Sequence, residues 1–237
     1  SWKDGKFSGY GFLDDYSNFI NALIRAHALT SDPEYLSEAL RLADLMILEF
    51  WDSADHVFYD TPNNGETLIY RPNDYYDNAV PSGASAACVA LRDLSTIYNI
   101  SKYKDIYQSL NRAVSADAFQ YPTAFGNWLC EISDELGGSV EVAIIGPDNK
   151  DIDTLRSRVL AIYMPNSVVI CEATEEYIGI GKDELRSSPL LQDRHAIDNK
   201  STVYICKNYA CDLPVNNLED LKDILNEAIQ KSPNHDS

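Results

Sequence analysis

Two loop-to-helix junctions in this sequence set carboxylates beside aromatic side chains. The first is Gly11-Phe12-Leu13-Asp14-Asp15-Tyr16; the second is Asp77-Asn78-Ala79-Val80-Pro81-Ser82-Gly83-Ala84-Ser85. Carboxyl groups that converge on one surface can divide the work of acid and base. One protonates a leaving oxygen while another acts as base or nucleophile. Aromatic rings supply flat apolar area on which a sugar ring can rest. Asp14, Asp15 and Asp77 are therefore the candidate catalytic residues, and Tyr16, Arg71, Tyr76 and Ser82 the candidate substrate-binding residues. A sugar or sugar acid is the ligand this pattern suits.

Each of these residues also has a plainer reading. Aspartate is favoured at helix starts, where it accepts backbone N–H bonds and meets the positive end of the helix dipole. Capping alone would account for Asp14 and Asp15. It accounts less readily for Asp77, which stands several residues before the cap expected at Ser82. Ser82 reads as that cap rather than as a nucleophile, because Pro81-Ser82-Gly83 lacks the first glycine of Gly-x-Ser-x-Gly and no strand precedes it. Arg71 could bind a carboxylate or offset the local acidic excess. The rings of Trp51, Phe58, Tyr59, Tyr70, Tyr75 and Tyr76 could simply fill the space between helix ends and a long loop.

Other chemistries find little support. His27, His56, His195 and His235 stand apart, without metal-ligand spacing, so no metal or cofactor is expected. Ile145-Gly146-Pro147-Asp148 lacks the glycine-rich loop of a nucleotide site. Cys206 and Cys211 form a Cys-x4-Cys pair, close enough in sequence for a tight loop to bring them together. Lys207 is the nearest cation in sequence, set against Asp212, and the low cysteine density suits a reducing compartment. Both cysteines are therefore expected to be reduced, structural and catalytically silent.

The junctions are positioned by helices. Phe19, Ile20, Leu23, Ile24 and Ala28 recur as one face of a helix that runs from Asp14 or Asp15 to about Leu29. A short turn with Pro33 at a first helical position leads to a second helix, whose inner face carries Leu36, Ala39, Leu40, Ala43, Met46, Ile47 and Phe50. The pair reads as an antiparallel αα-hairpin. Residues 51–81 form a long aromatic loop, in which Phe58-Tyr59 could pair with Thr67-Leu68-Ile69-Tyr70. A third helix from about Ser82 to Tyr98 and a fourth through Tyr103 to Val114 repeat the hairpin, and a fifth spans about Pro122 to Leu136. The short turns lie at one end of this body, so both long loops, with Asp14, Asp15, Asp77 and Ser82, share the other.

At Gly137-Gly138 the pattern changes. Val140–Gly146 reads as a strand, Asp151–Tyr163 as a helix and Ser167–Cys171 as a second strand, a parallel βαβ unit. Residues 172–200 read as a loop, Ser201–Cys206 as a third strand and Leu218–Ile229 as a closing helix. The expected fold class is mainly α with a C-terminal α/β segment, divided into residues 1–136 and 137–237.

The chain of 237 residues is 45% hydrophobic, enough for one large core or two smaller ones, and its net charge is −18. So acidic a surface is repelled by nucleic acid and by anionic membranes, which makes both poor partners. No apolar run has the length of a membrane span. The five cysteines suit the cytoplasm.

Three motifs in order, Phe12-Leu13-Asp14-Asp15-Tyr16, Phe50-Trp51-Asp52 and Asp77-Asn78-Ala79-Val80-Pro81-Ser82-Gly83, resemble the spermatogenesis-associated, thioredoxin-domain-containing protein family and its bacterial counterparts. The run from Tyr204 to Pro214 looks like that family's closing motif. The resemblance covers nearly the whole chain and implies the C-terminal part of a longer protein. In such proteins a thioredoxin-like domain precedes an α/α toroid of the six-hairpin glycosidase type, related in architecture to N-acylglucosamine 2-epimerases. This chain would hold a partial toroid. The motifs point to Asp15-Tyr16 and to Asp77 with Pro81-Ser82-Gly83, while the epimerase histidines have no counterpart here. Three classes of function stay open: a carbohydrate-active enzyme, a non-catalytic scaffold that holds a thioredoxin-like domain or another protein partner, or redox chemistry through Cys206 and Cys211. Helical faces left open by missing neighbours would also favour self-association.

Overall fold

A computed structural model describes residues 2–7, 9–65, 69–174 and 187–230. The elements in order are β1 (Trp2–Lys3), β2 (Lys6–Phe7), α1 (Leu13–Thr30), α2 (Pro33–Phe50), β3 (Trp51–Asp52), β4 (Val57–Phe58), α3 (Gly83–Tyr98) and α4 (Ser101–Gln120). They continue with α5 (Gly126–Gly137), β5 (Val140–Gly146), α6 (Asn149–Leu160), β6 (Ser167–Ala173), β7 (Thr202–Lys207), β8 (Ala210–Cys211) and α7 (Leu218–Gln230). The described residues are thus mainly helical, with a C-terminal α/β part. None of their helices is long and apolar enough to cross a membrane.

The hairpins form for reasons visible in the residues. In α1 the buried stripe is Ile20, Leu23, Ile24 and His27, one helical face. Phe19, expected on that face, is 56% exposed. At 100° per residue it falls roughly a quarter-turn or more from the centre of the stripe. In α2 the expected positions Leu36, Ala39, Ala43, Met46, Ile47 and Phe50 are buried. Each hairpin turns on a two-residue link that begins in the left-handed region, at Ser31 (φ 65°) and at Asn99 (φ 54°). This is the usual way an α-helix is stopped and its last carbonyls are satisfied.

Two expectations about the loops are corrected. Phe58 does not pair downstream: β4 pairs with β3, Trp51 opposite Phe58. The Asp52 carboxylate accepts the Ala54 and Asp55 N–H groups, and His56 takes a positive φ, so the chain reverses locally. Thr67 and Leu68, the other half of the expected hairpin, lie outside the described residues. The fifth helix also begins later than Pro122. Residues 122–124 form a 3-10 turn and the α-helix starts at Gly126. Asp77 fixes that start, because its N–H donates to Ala124 O at 2.8 Å and its carboxylate takes the Asn127 N–H.

The α/β part follows the sequence closely. β5 and β6 are parallel, joined through α6, and β7 runs antiparallel to β5, giving the sheet order β6-β5-β7-β8. Every residue of β5 and β6 is buried, which explains their continuous rather than alternating apolar character. α6 begins at Asn149 because the Asp148 side chain caps it, accepting the Asp151 N–H. Val142, Ile144, Ile152, Val159, Leu221 and Leu225 are central to this core.

By contact the chain separates into two compact units. One comprises Ser1–Ala22, Glu38–Arg92 and Ser101–Ile132; the other comprises Leu23–Ser37, Asp93–Ile100 and Ser133–Ser237.

Candidate functional site

In the first unit the starts of α1 and α3 adjoin. A Cβ on Gly83 would stand 3.0 Å from Asp14 N and 3.1 Å from Leu13 Cγ, so only glycine allows this approach without displacement. The aromatic loop is tied to the same place, with Leu13 N–H donating to Asp60 O at 3.0 Å. The result is a cleft of about 300 Å³ lined by Phe12, Asp14, Asp60, Asp74, Tyr76 and the chain from Asn78 to Gly83 without Ala79.

The sequence-chosen residues take different places around it. Asp14 lines the cleft, and its carboxylate also accepts the Asp15 N–H. Asp15 reaches back to the Phe12 N–H at 2.9 Å, half of a capping box. Tyr16 packs its ring on Phe50, centroids 5.2 Å apart. Tyr76 lines the cleft, 54% exposed, with its ring 5.3 Å from that of Phe125. Ser82 lines it too, and its Oγ accepts the Ser85 N–H as the cap of α3. Arg71 does not reach the cleft. It binds Asn63 Oδ1 at 2.6 Å and the Thr61 carbonyl, and its guanidinium lies 4.2 Å over the Tyr59 ring. It rivets the loop to itself.

Asp77 is buried and does not line the cleft. One carboxylate oxygen accepts the Ser82 N–H at 2.9 Å and the Ser85 hydroxyl at 2.7 Å. The other accepts the Asn127 N–H at 2.8 Å and the Trp128 N–H at 3.3 Å. One side chain therefore pins the starts of both α3 and α5, and its acceptor sites are used.

The carboxylates that sequence reasoning missed are Asp60 and Asp74. Asp60 Oδ2 accepts the Asp74 N–H at 3.2 Å, and Asp74 Oδ1 accepts the Tyr76 N–H at 2.9 Å. Burial pushes the Asp60 carboxyl above its ordinary value; the Asp74 N–H opposes this, and the charges of Asp74 and Asp14 add to it. Both residues lie inside the aromatic loop rather than at a helix start, so a search of the junctions passes over them. A carboxyl group whose pKa is raised by burial, beside two further carboxylates and the exposed rings of Phe12 and Tyr76, has the means for proton transfer to a ligand on those rings.

In the second unit the expected reduced state of the cysteines is overturned. Cys206 and Cys211 are bonded as a disulfide. They are direct partners in the register of β7 and β8, and the two residues at the turn, Asn208 and Tyr209, both take positive φ (52° and 64°), as a two-residue hairpin requires. Nor is Lys207 the nearest cation in space, since Arg194 Nη2 lies 2.7 Å from Cys211 Sγ. His27 is a core residue. Its Nδ1 bonds Asp32 O, its Nε2 accepts the Cys171 N–H, and burial pushes its pKa down to about 4. Among the described residues no group of three or more His, Cys, Asp or Glu is placed to hold a metal ion.

No protein-family model matches the chain. Over 223 residues, 92% of its length, it is 28% identical to spermatogenesis-associated protein 20 of Rattus norvegicus. The corresponding figures are 27% over 220 residues for the protein of that name from Mus musculus, and 25% over 217 residues for uncharacterized protein B0495.5 of Caenorhabditis elegans. The chain spans 27% of the rat and mouse proteins and 28% of the nematode protein. It is thus similar, over nearly all its own length, to about a quarter of proteins named spermatogenesis-associated protein 20.

Proposed function

We propose that the cleft between the starts of α1 and α3 binds a sugar or sugar acid, with Asp60 as proton donor and Asp14 or Asp74 as the accepting carboxylate. The observation that carries this reading is the raised pKa of Asp60 in a cleft faced by two exposed rings. In this reading Asp77, Asp15 and Arg71 act as positioning residues that fix the cleft walls. The two successive hairpins are read as part of an α/α toroid within a longer protein, the architecture that the motif resemblance implies, and bacterial counterparts would share it. The cytoplasm remains the proposed compartment.

The test is a thermal-shift screen of monosaccharides, oligosaccharides and uronic acids against the wild-type chain, with product analysis for any sugar that binds. A stabilising sugar should lose its effect in Tyr76→Ala. In Asp60→Asn it should still bind but no longer be converted. Shifts that persist in Tyr76→Ala, or the absence of any shift across the panel, would sink the proposal. The scaffold reading, in which the face holds a thioredoxin-like domain or another protein, is favoured by one observation: Asp77 and Arg71, two residues chosen for chemistry, are both engaged in holding the fold. A sugar-silent cleft would leave that reading standing.

A further inference from the structure

We infer that Cys206 and Cys211 form a reversible thiol–disulfide exchange site for small thiols of the glutathione class, with Cys211 as the attacked sulfur and Arg194 as the group that stabilises the departing thiolate. The two sulfurs differ in access. Cys206 is 3% exposed on β7, whereas Cys211 lies exposed on the short outer strand β8. An incoming thiolate therefore reaches Cys211 Sγ, and the bond to Cys206 Sγ lies behind it.

Arg194 is held in place by groups other than the sulfurs. Its Nη1 donates to Pro189 O at 2.9 Å, and its guanidinium lies 5.7 Å from the centroid of the Tyr204 ring. From that anchorage its Nη2 reaches both sulfurs, at 2.7 Å from Cys211 and 3.3 Å from Cys206. A fixed cation beside a sulfur favours the thiolate over the thiol and makes that sulfur a better leaving group.

The turn that joins the cysteines is secured independently of the bond between them. Glu141 accepts the Tyr209 N–H at 2.8 Å, and the Tyr209 hydroxyl donates to Thr96 O at 2.9 Å. When the disulfide opens, these contacts keep the two thiols opposite each other. Closure is then an intramolecular step between positioned groups rather than a search by a loose chain.

The step balances as follows. A thiolate attacks Cys211 Sγ, the Sγ–Sγ bond breaks, and its electron pair leaves on Cys206 as a thiolate beside Arg194. A second thiolate attacks the added sulfur and releases Cys211. Two small thiols become one small disulfide, the protein cystine gains two electrons, and the two protons of the small thiols end on Cys206 and Cys211.

The test equilibrates the folded full chain in buffers from fully reduced to fully oxidised glutathione. Acid quench, alkylation and peptide mapping then read each cysteine, and circular dichroism monitors the fold. Cys206 and Cys211 should open and close together while the fold is retained. In Cys206→Ser, oxidised glutathione should add to Cys211; in Cys211→Ser, Cys206 should stay unmodified. Arg194→Met should slow opening by about tenfold. A pair that stays closed in every buffer, or opens only as the circular dichroism signal is lost, overturns the inference from the wild-type protein alone. An adduct on Cys206 in Cys211→Ser, or an unchanged rate in Arg194→Met, overturns the assigned roles.

Discussion

Replacing Asp77 by asparagine tests the claim that one carboxylate holds two helix starts. The substitution changes shape little but turns one acceptor oxygen into an amide that can only donate. Directed at Asn127 and Trp128, the amide NH2 group faces two N–H donors; directed at Ser82 and Ser85, it faces one N–H donor and a hydroxyl that can accept it and turn its own proton to Ser82 O at 3.1 Å. In this second, less costly placement the Ser82 bond is lost and the Asn127 and Trp128 bonds survive without their charge. Hydrogen bonds to charged groups contribute roughly 1.5–3 kcal/mol each, so one lost bond and three weakened ones cost about 3 kcal/mol. At 2–4 °C per kcal/mol for a protein of this size, Tm falls by roughly 6–12 °C. Trp128 is fully buried and its N–H bonds Asp77, so thermal and urea unfolding followed by tryptophan fluorescence report on the right place. A variant whose Tm stays within about 2 °C of wild type would refute the reasoning, since that loss corresponds to under about 1 kcal/mol. The same arithmetic makes Asp60→Asn, rather than Asp77→Asn, the informative variant for ligand binding.

The buried His27 makes the fold acid-sensitive. Its folded pKa of about 4 lies below the ordinary 6.5, so its contribution is complete above pH 6.5 and lost as pH falls towards 4. The loss amounts to roughly 3 kcal/mol, at about 1.4 kcal/mol for each tenfold change. Urea midpoints across this range should slope less steeply in His27→Gln; equal slopes would count against the assignment. Arg92 and Glu131 form a buried ion pair at 2.9 Å. Glu131→Ala should cost about 3–5 kcal/mol, and Arg92→Met combined with Glu131→Leu should recover most of it, as measured by urea denaturation. Finally, Tyr10, Phe12 and Phe19 are each more than half exposed near the start of α1. Light scattering should show concentration-dependent self-association that Phe19→Asp weakens, and a monomer at every concentration would exclude this surface.

The parts legible in the sequence were those whose cause is local. Val140–Gly146 is, Glu141 apart, a run of small and β-branched residues, and the strand observed has those bounds. The hairpins announced themselves through apolar spacing and short links. What escaped had causes far away along the chain. Asp77 looked unlike a cap because it stands before Ser82 at a distance, yet a buried carboxylate can serve Ser82 and also Asn127, 50 residues on. No local pattern marks such a pairing. Arg194 was missed beside the cysteines for the same reason, lying 17 residues before Cys211. Asp60 was passed over because aspartate in a loop is ordinary; only burial and the company of Asp74 and Asp14 set it apart.

The contact at Gly83 has an electrostatic consequence. Because position 83 carries no side chain, α3 approaches the start of α1 closely, and the positive ends of two helix dipoles converge on one wall of the cleft. A chain of net charge −18 thereby gains a local region where negative charge is less unfavourable than elsewhere on its surface. That offsets part of the mutual repulsion of Asp14, Asp60 and Asp74 in so small a volume. For a ligand that is itself an anion, such as the sugar acid proposed above, the same field would favour binding. A methyl group at position 83 would press these two helix starts apart and weaken the field they share.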